Sequence, residues 1–149
     1  MPTMSATRAE VAAELREAVQ AFAAAQRRLR SRDSRTGGLS IAQWQLLRQL
    51  AEADELPAGK LAAGAELTPA SATQMLDHLA EQGWVERVRS DTDRRVVLNR
   101  LTTAGRERFE RKRAEIEERW REALADIPAE QLGQAAQVLR RMADVLDAM

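Results

Sequence analysis

Asp93, Arg94 and Arg95, three side chains in one short polar stretch, carry the most pointed chemistry in this sequence. The stretch "SDTDRR" favours a turn, and β-prone residues flank it: Trp84, Val85 and Val88 before, and Val96, Val97, Leu98 and Leu101 after. That pattern predicts a two-stranded hairpin with a charged tip. A guanidinium at such a tip suits the minor groove of DNA, whose narrow A/T-rich parts concentrate negative potential. Asp93 lies two residues before Arg95, so its carboxylate is expected to pair with that side chain and brace the loop, leaving Arg94 to project. A second set, Pro69, Ala70, Ser71, Thr73 and Gln74, falls on one side of a predicted helix together with Asp77 and His78, away from its apolar positions. Ser, Thr and Gln bond to phosphates or base edges, Gln preferring adenine, and a helix N-terminus favours a phosphate.

Elements able to hold these groups are well marked. Thr68-Pro69 starts the presumed reading helix as N-cap and N1 proline, Ala72, Met75, Leu76 and Leu79 face inward, and Gly83 is placed to end it. Before it, Leu56-Pro57 is expected to open a short alanine-rich helix closing around Gly64. Further upstream, Ser40 with Gln43 has capping-box spacing, and Leu39 with Trp44 has the spacing of a hydrophobic staple. The first helix begins at the Thr7/Glu10 capping box, carries Val11, Leu15, Val19 and Phe22 on one face, and is expected to end near Gly37-Gly38. Thr102 can cap a long charged helix to about Leu124, and Pro128 opens a last one with Leu132, Ala135, Leu139, Met142 and Leu146 along a stripe.

Two short helices followed at once by a hairpin set one exposed helix face beside one protruding loop. The expected fold is therefore mainly α with a small β-hairpin wing: a winged helix-turn-helix core flanked by N- and C-terminal dimerisation helices. Residues 38–102 form the core, and residues 1–37 and 103–149 form the helical dimerisation region, in one continuous domain. The terminal stripes are too extensive for the small central lobe to cover, so two copies are expected to cover them across a two-fold axis.

Composition narrows the chemistry. The 149 residues include no cysteine and one histidine, His78, so thiolate chemistry and Cys-liganded zinc are excluded, one histidine with carboxylates is a poor match for a transition metal, and no cofactor is expected. No G-x-S-x-G elbow, Gly-rich phosphate loop or H-E-x-x-H is present, which argues against an enzyme. With no apolar leader and no stretch approaching ~20 apolar residues, the chain is expected in the cytoplasm and off the membrane. Net charge is zero, yet residues 86–113 hold ten basic side chains against five acidic ones. Residues 57–86 lean the other way, with Lys60 against Glu66, Asp77, Glu81 and Glu86. Phosphate attraction must then come from the wing, from Arg87 and Arg89, and from the basic run before Gly37.

The stretch "LTPASATQMLDHLAEQGWVERVRSDTDRRVVLNRLTTAG" resembles the winged helix-turn-helix core of MarR-type (multiple antibiotic resistance) regulators, above all in "GWVER", "DRR" and the "LT" and "AG" pairs. "SIAQWQLLRQL" resembles that family's preceding helix. The resemblance implies a homodimer on double-stranded DNA, with Arg94 in the minor groove, Asp93 and Arg95 as bracing pair, and the Thr68 helix in the major groove. It also implies repression relieved by a small aromatic or phenolic effector, for which Phe22, Trp44, Arg48 and Trp120 are the candidate contacts. Gln74 stands where many such proteins carry arginine, and Glu66 where glycine is common. The rival reading is an architectural or protein-interaction module without operator specificity.

Overall fold

The computed structural model describes residues 7–32 and 38–149. In chain order the elements are α1 (Arg8–Arg32), α2 (Ile41–Ala53), β1 (Glu55–Pro57), α3 (Ala58–Gly64), α4 (Pro69–Glu81), β2 (Val85–Arg89), β3 (Val97–Leu101), α5 (Thr103–Ala123) and α6 (Ala129–Asp147). The chain falls into two compact units, Met1–Glu110 and Arg111–Met149.

In the first unit, local signals set most helix ends. The Thr7 backbone donates to Glu10 Oε2 at 2.7 Å and the Glu10 N–H returns to Thr7 Oγ1 at 3.3 Å, closing the capping box of α1. These bonds hold the Glu10 carboxyl below its ordinary value. The expected end of α1 near Gly37-Gly38 reaches outside the described residues, as does Arg35 of the basic run. Ser40 and Gln43 close a second box on α2 through reciprocal bonds of 2.9 and 3.1 Å. At the C-terminus of α4, Gly83 has φ +74° and its N–H reaches the Ala80 carbonyl, while the Trp84 N–H reaches that of Leu79. This paired arrangement satisfies the last carbonyls with a left-handed residue that glycine adopts without steric cost.

Leu46, Leu47, Leu50, Leu61, Leu76 and Leu79 form the centre of the core, with Leu39, Val85 and Phe109 around them. Each buried leucine contributes roughly 1.5–3 kcal/mol relative to exposure. Trp84 packs against this core and anchors the hairpin to it, and Arg108 lies over its ring at 5.3 Å.

The sheet departs from expectation. It has three antiparallel strands in the order β1-β3-β2, where the sequence pointed to a two-stranded hairpin. Leu56-Pro57 does lead into a short helix, since Pro57 is the N-cap of α3 and the helix closes at Gly64. Glu55, Leu56 and Pro57 add a third strand by pairing with Arg100, Asn99 and Leu98. A three-residue strand is too short to show alternation, and its edge position tolerates a proline that cannot donate to the ladder. The buried Asn99 side chain fastens it, donating from Nδ2 to the Leu56 carbonyl at 3.2 Å.

Gly105 fixes where α5 leaves the sheet. A Cβ on it would lie 1.9 Å from the Trp84 carbonyl oxygen, so only glycine permits this approach. Thr102 Oγ1 donates to the Gly83 carbonyl at 2.6 Å and accepts from the Gly105 N–H at 3.0 Å, capping α5 as its sequence position predicts.

In the second unit, the charged part of α5 is laced by pairs one turn apart, among them Arg113–Glu117 at 2.8 Å and Arg119–Glu115 at 2.9 Å. α6 has no buried residue: Leu132 and Met142 are half-buried, while Val138, Leu139, Val145 and Leu146 are exposed. No helix among the described residues is long and apolar enough to cross a membrane.

Candidate nucleic-acid interface

α4 presents its outward face from the first turn. Thr68 Oγ1 accepts from the Ser71 N–H at 3.2 Å and donates to Ser71 Oγ at 2.9 Å, which fixes the N-terminus and leaves the Ser71 proton available. With Ala72, Leu76 and Leu79 buried, Pro69, Ala70, Thr73, Gln74, Asp77 and His78 are exposed and Ser71 is half-buried. The predicted reading residues therefore share one accessible face. Thr73 is less versatile there than its type suggests, because its hydroxyl donates back to the Pro69 carbonyl at 2.9 Å and retains only acceptor capacity. Gln43 of α2 lines a shallow groove on this face together with Ser71, Gln74, Asp77 and His78. Sequence reasoning read Gln43 only as a cap; nothing in its spacing signalled that it would reach this face.

The wing tip is internally bonded. The Ser90 N–H meets the Val96 carbonyl at 3.0 Å and the Val96 N–H meets that of Asp93 at 2.9 Å. Ser90 Oγ accepts from the backbones of Thr92 and Asp93 at 3.3 and 3.4 Å. Asp93 does brace the loop, but not through the Arg95 guanidinium: its Oδ1 accepts from the Arg95 backbone N–H at 3.0 Å. A carboxylate two residues before an amide closes an Asx-type turn more readily than it meets the long side chain of that residue. Both arginines are thereby left exposed, and neither forms an ion pair among the described residues.

Three cations on the strands of the basic segment, Arg87, Arg89 and Arg100, are already partnered. Arg100 donates to Glu86 at 2.6 Å and lies 3.7 Å from Glu55, and the Glu86 bond and charge raise its pKa above the ordinary guanidinium value. Arg89 reaches the Arg94 carbonyl at 3.4 Å. Arg87 is hydrogen-bonded to Asp77, tying β2 to α4, a pairing that sequence reasoning missed because ten residues and a change of element separate the two. The +5 of residues 86–113 thus overstates the charge available to a duplex.

Of the four candidate effector contacts, two come together. The Trp44 ring stacks on Phe109 at 5.8 Å, and the Arg48 guanidinium lies 5.7 Å over Trp44 while pairing with Glu52 at 3.7 Å. Trp44 Nε1 is buried with no hydrogen-bond partner among the described residues. Phe22 on α1 is 49% exposed, and Trp120, in the second unit, is 50% exposed.

The model of the MarR family matches residues 39–97, which run from α2 through β2 and the wing tip to the start of β3. An uncharacterised HTH-type transcriptional regulator of Bacillus subtilis, YdgJ, is 37% identical over 105 residues, or 70% of this chain. The match spans 64% of the length of that relative, a little under two thirds. The homoprotocatechuate degradative operon repressor of Escherichia coli is 31% identical over 101 residues, 68% of each chain. Among solved structures, NadR in complex with 4-hydroxyphenylacetate matches with a TM-score of 0.60 at 26% identity, over 96% of this chain and 98% of its own.

Proposed function

Because this chain belongs to the MarR family, we propose that it is a homodimeric transcriptional regulator that binds a pseudo-palindromic DNA operator and represses until a small effector releases it. The observation that carries this reading is the pairing of two accessible elements in one unit: the outward face of α4, from Pro69 to Gln74, and a rigid wing whose Arg94 and Arg95 are uncommitted. A helix of this kind enters a major groove while the wing reaches the adjacent minor groove. No catalytic step belongs to the reading, and its setting is the cytoplasm.

Dimerisation by residues 1–37 and 103–149, with residues 38–102 reading DNA, is supported by the apolar side chains left exposed on α1 and on α6. Val11, Leu15 and Phe22 on the first, and Leu139, Val145 and Leu146 on the second, are 37–67% exposed. Apolar stripes of this length on a small chain call for a second copy. An aromatic or phenolic effector is supported by the ligand in the NadR structure and by the exposed Phe22 and the buried, unpartnered indole N–H of Trp44.

The acidic lean of residues 57–86 favours the protein-interaction form of the second reading, a module without operator specificity, because it weakens phosphate attraction where the helix would dock. Competition separates the two. A specific regulator holds one operator against excess unrelated duplex, whereas an architectural binder loses all sequences alike as salt rises. Uniform loss would overturn the proposed function.

A further inference from the structure

The Arg87–Asp77 bond joins a wing strand to the helix beside it. Alternation along β2 puts Arg87 on the same side as Val85, which is buried in the core that α4 also serves, so the arginine leaves the sheet toward α4. There its Nη2 donates to Asp77 Oδ1, and both side chains remain about half exposed, at 44% and 50%. Asp77 belongs to the outward strip of α4, following Ala70 and Gln74 at helical intervals, opposite the buried Ala72, Leu76 and Leu79. A bare carboxylate on that strip would repel phosphates, and Lys60 is the only cation between residues 57 and 86. Arginine carries five N–H donors in a planar fork, so one bond to Asp77 leaves donors uncommitted and fixes the direction in which they point.

We propose that Asp77 is a positioning residue that holds Arg87 over the outward strip of α4, where the remaining donors of the guanidinium read a guanine in the major groove. This rests on the DNA-binding function proposed above and gives β2 a share of the sequence reading. Arginine pairing with the guanine edge is the commonest specific contact in that groove, and a fork already oriented by a carboxylate loses less freedom on making it.

The test is enrichment of duplexes from a random library by the full chain and by Asp77→Asn, Asp77→Glu and Arg87→Lys, with melting temperatures confirming that each is folded. The wild type is expected to select a motif with one guanine per half-site whose preference drops about tenfold in Asp77→Asn and in Arg87→Lys and is retained in Asp77→Glu. Asp77→Asn also removes a negative charge, so its binding to unrelated duplex should tighten while its selectivity falls. A merely structural role for the pair would let the lost charge tighten binding to unrelated duplex but would leave the preference at the guanine position unchanged. If Asp77→Asn and Arg87→Lys select the wild-type motif unchanged, Arg87 reads no base and the inference is overturned while DNA binding stands. A wild type that selects no motif overturns both.

Discussion

Leu47 and Leu146 are the same side chain in two settings. Leu47 is fully buried on α2, where capped helices and a three-stranded sheet close around it, whereas Leu146 on α6 is 67% exposed. The core around Leu47 satisfies its apolar groups within the chain; α6, like the apolar face of α1, does not. In the homodimer proposed above, a stretch that keeps helical form with its leucines uncovered would draw its packing from another copy. Stability and assembly are thus stored in different parts of the molecule, and substitutions should separate them.

The sharpest break of the comparison is Leu47→Ala, expected to cost about 2–5 kcal/mol of unfolding free energy, measured by denaturant titration. Next comes Gly105→Ala, which forces a methyl group against the Trp84 carbonyl and should cost roughly 1–3 kcal/mol by the same measurement. Leu146→Ala, chemically identical to the first change, should stay within about 0.5 kcal/mol when the chain is dilute enough to be monomeric. Its effect should emerge in sedimentation as a weakened dimer; a loss as large as that of Leu47→Ala would erase the distinction. At Glu66, with φ +55°, a glycine removes the left-handed penalty and should stabilise the first unit by about 0.5–1 kcal/mol. The smallest effect is a pH dependence at the start of α1. Because the capping bonds lower the Glu10 pKa, its contribution is present above the ordinary carboxylate range and is lost as pH falls through the lowered value. Helicity followed by circular dichroism should therefore fray at acid pH in the wild type, and less so in Glu10→Gln.

Legibility in the sequence followed the range of the interactions. Caps at Thr7, Ser40, Thr68 and Thr102, and the stop at Gly83, act within a few residues and could be read directly. Long-range pairings could not. β1 exists because Asn99 and its neighbours hold residues more than forty positions earlier, and three residues carry no periodic signal. The Arg87–Asp77 bond and the place of Gln43 depend likewise on how elements pack, and composition counted Arg87 and Arg100 as available charge although Asp77, Glu86 and Glu55 occupy them. Asp93 shows the intermediate case: its role as brace was legible, but its partner was the nearer backbone amide.

The account depends most on Arg94 standing clear of a rigid wing to meet DNA. Operator fragments selected from genomic DNA should be titrated with the wild type and with Arg94→Ala at one fixed salt concentration. Loss of a charge-assisted contact should weaken binding by about tenfold or more, with no change in melting temperature. Equal affinities for the two proteins would contradict it.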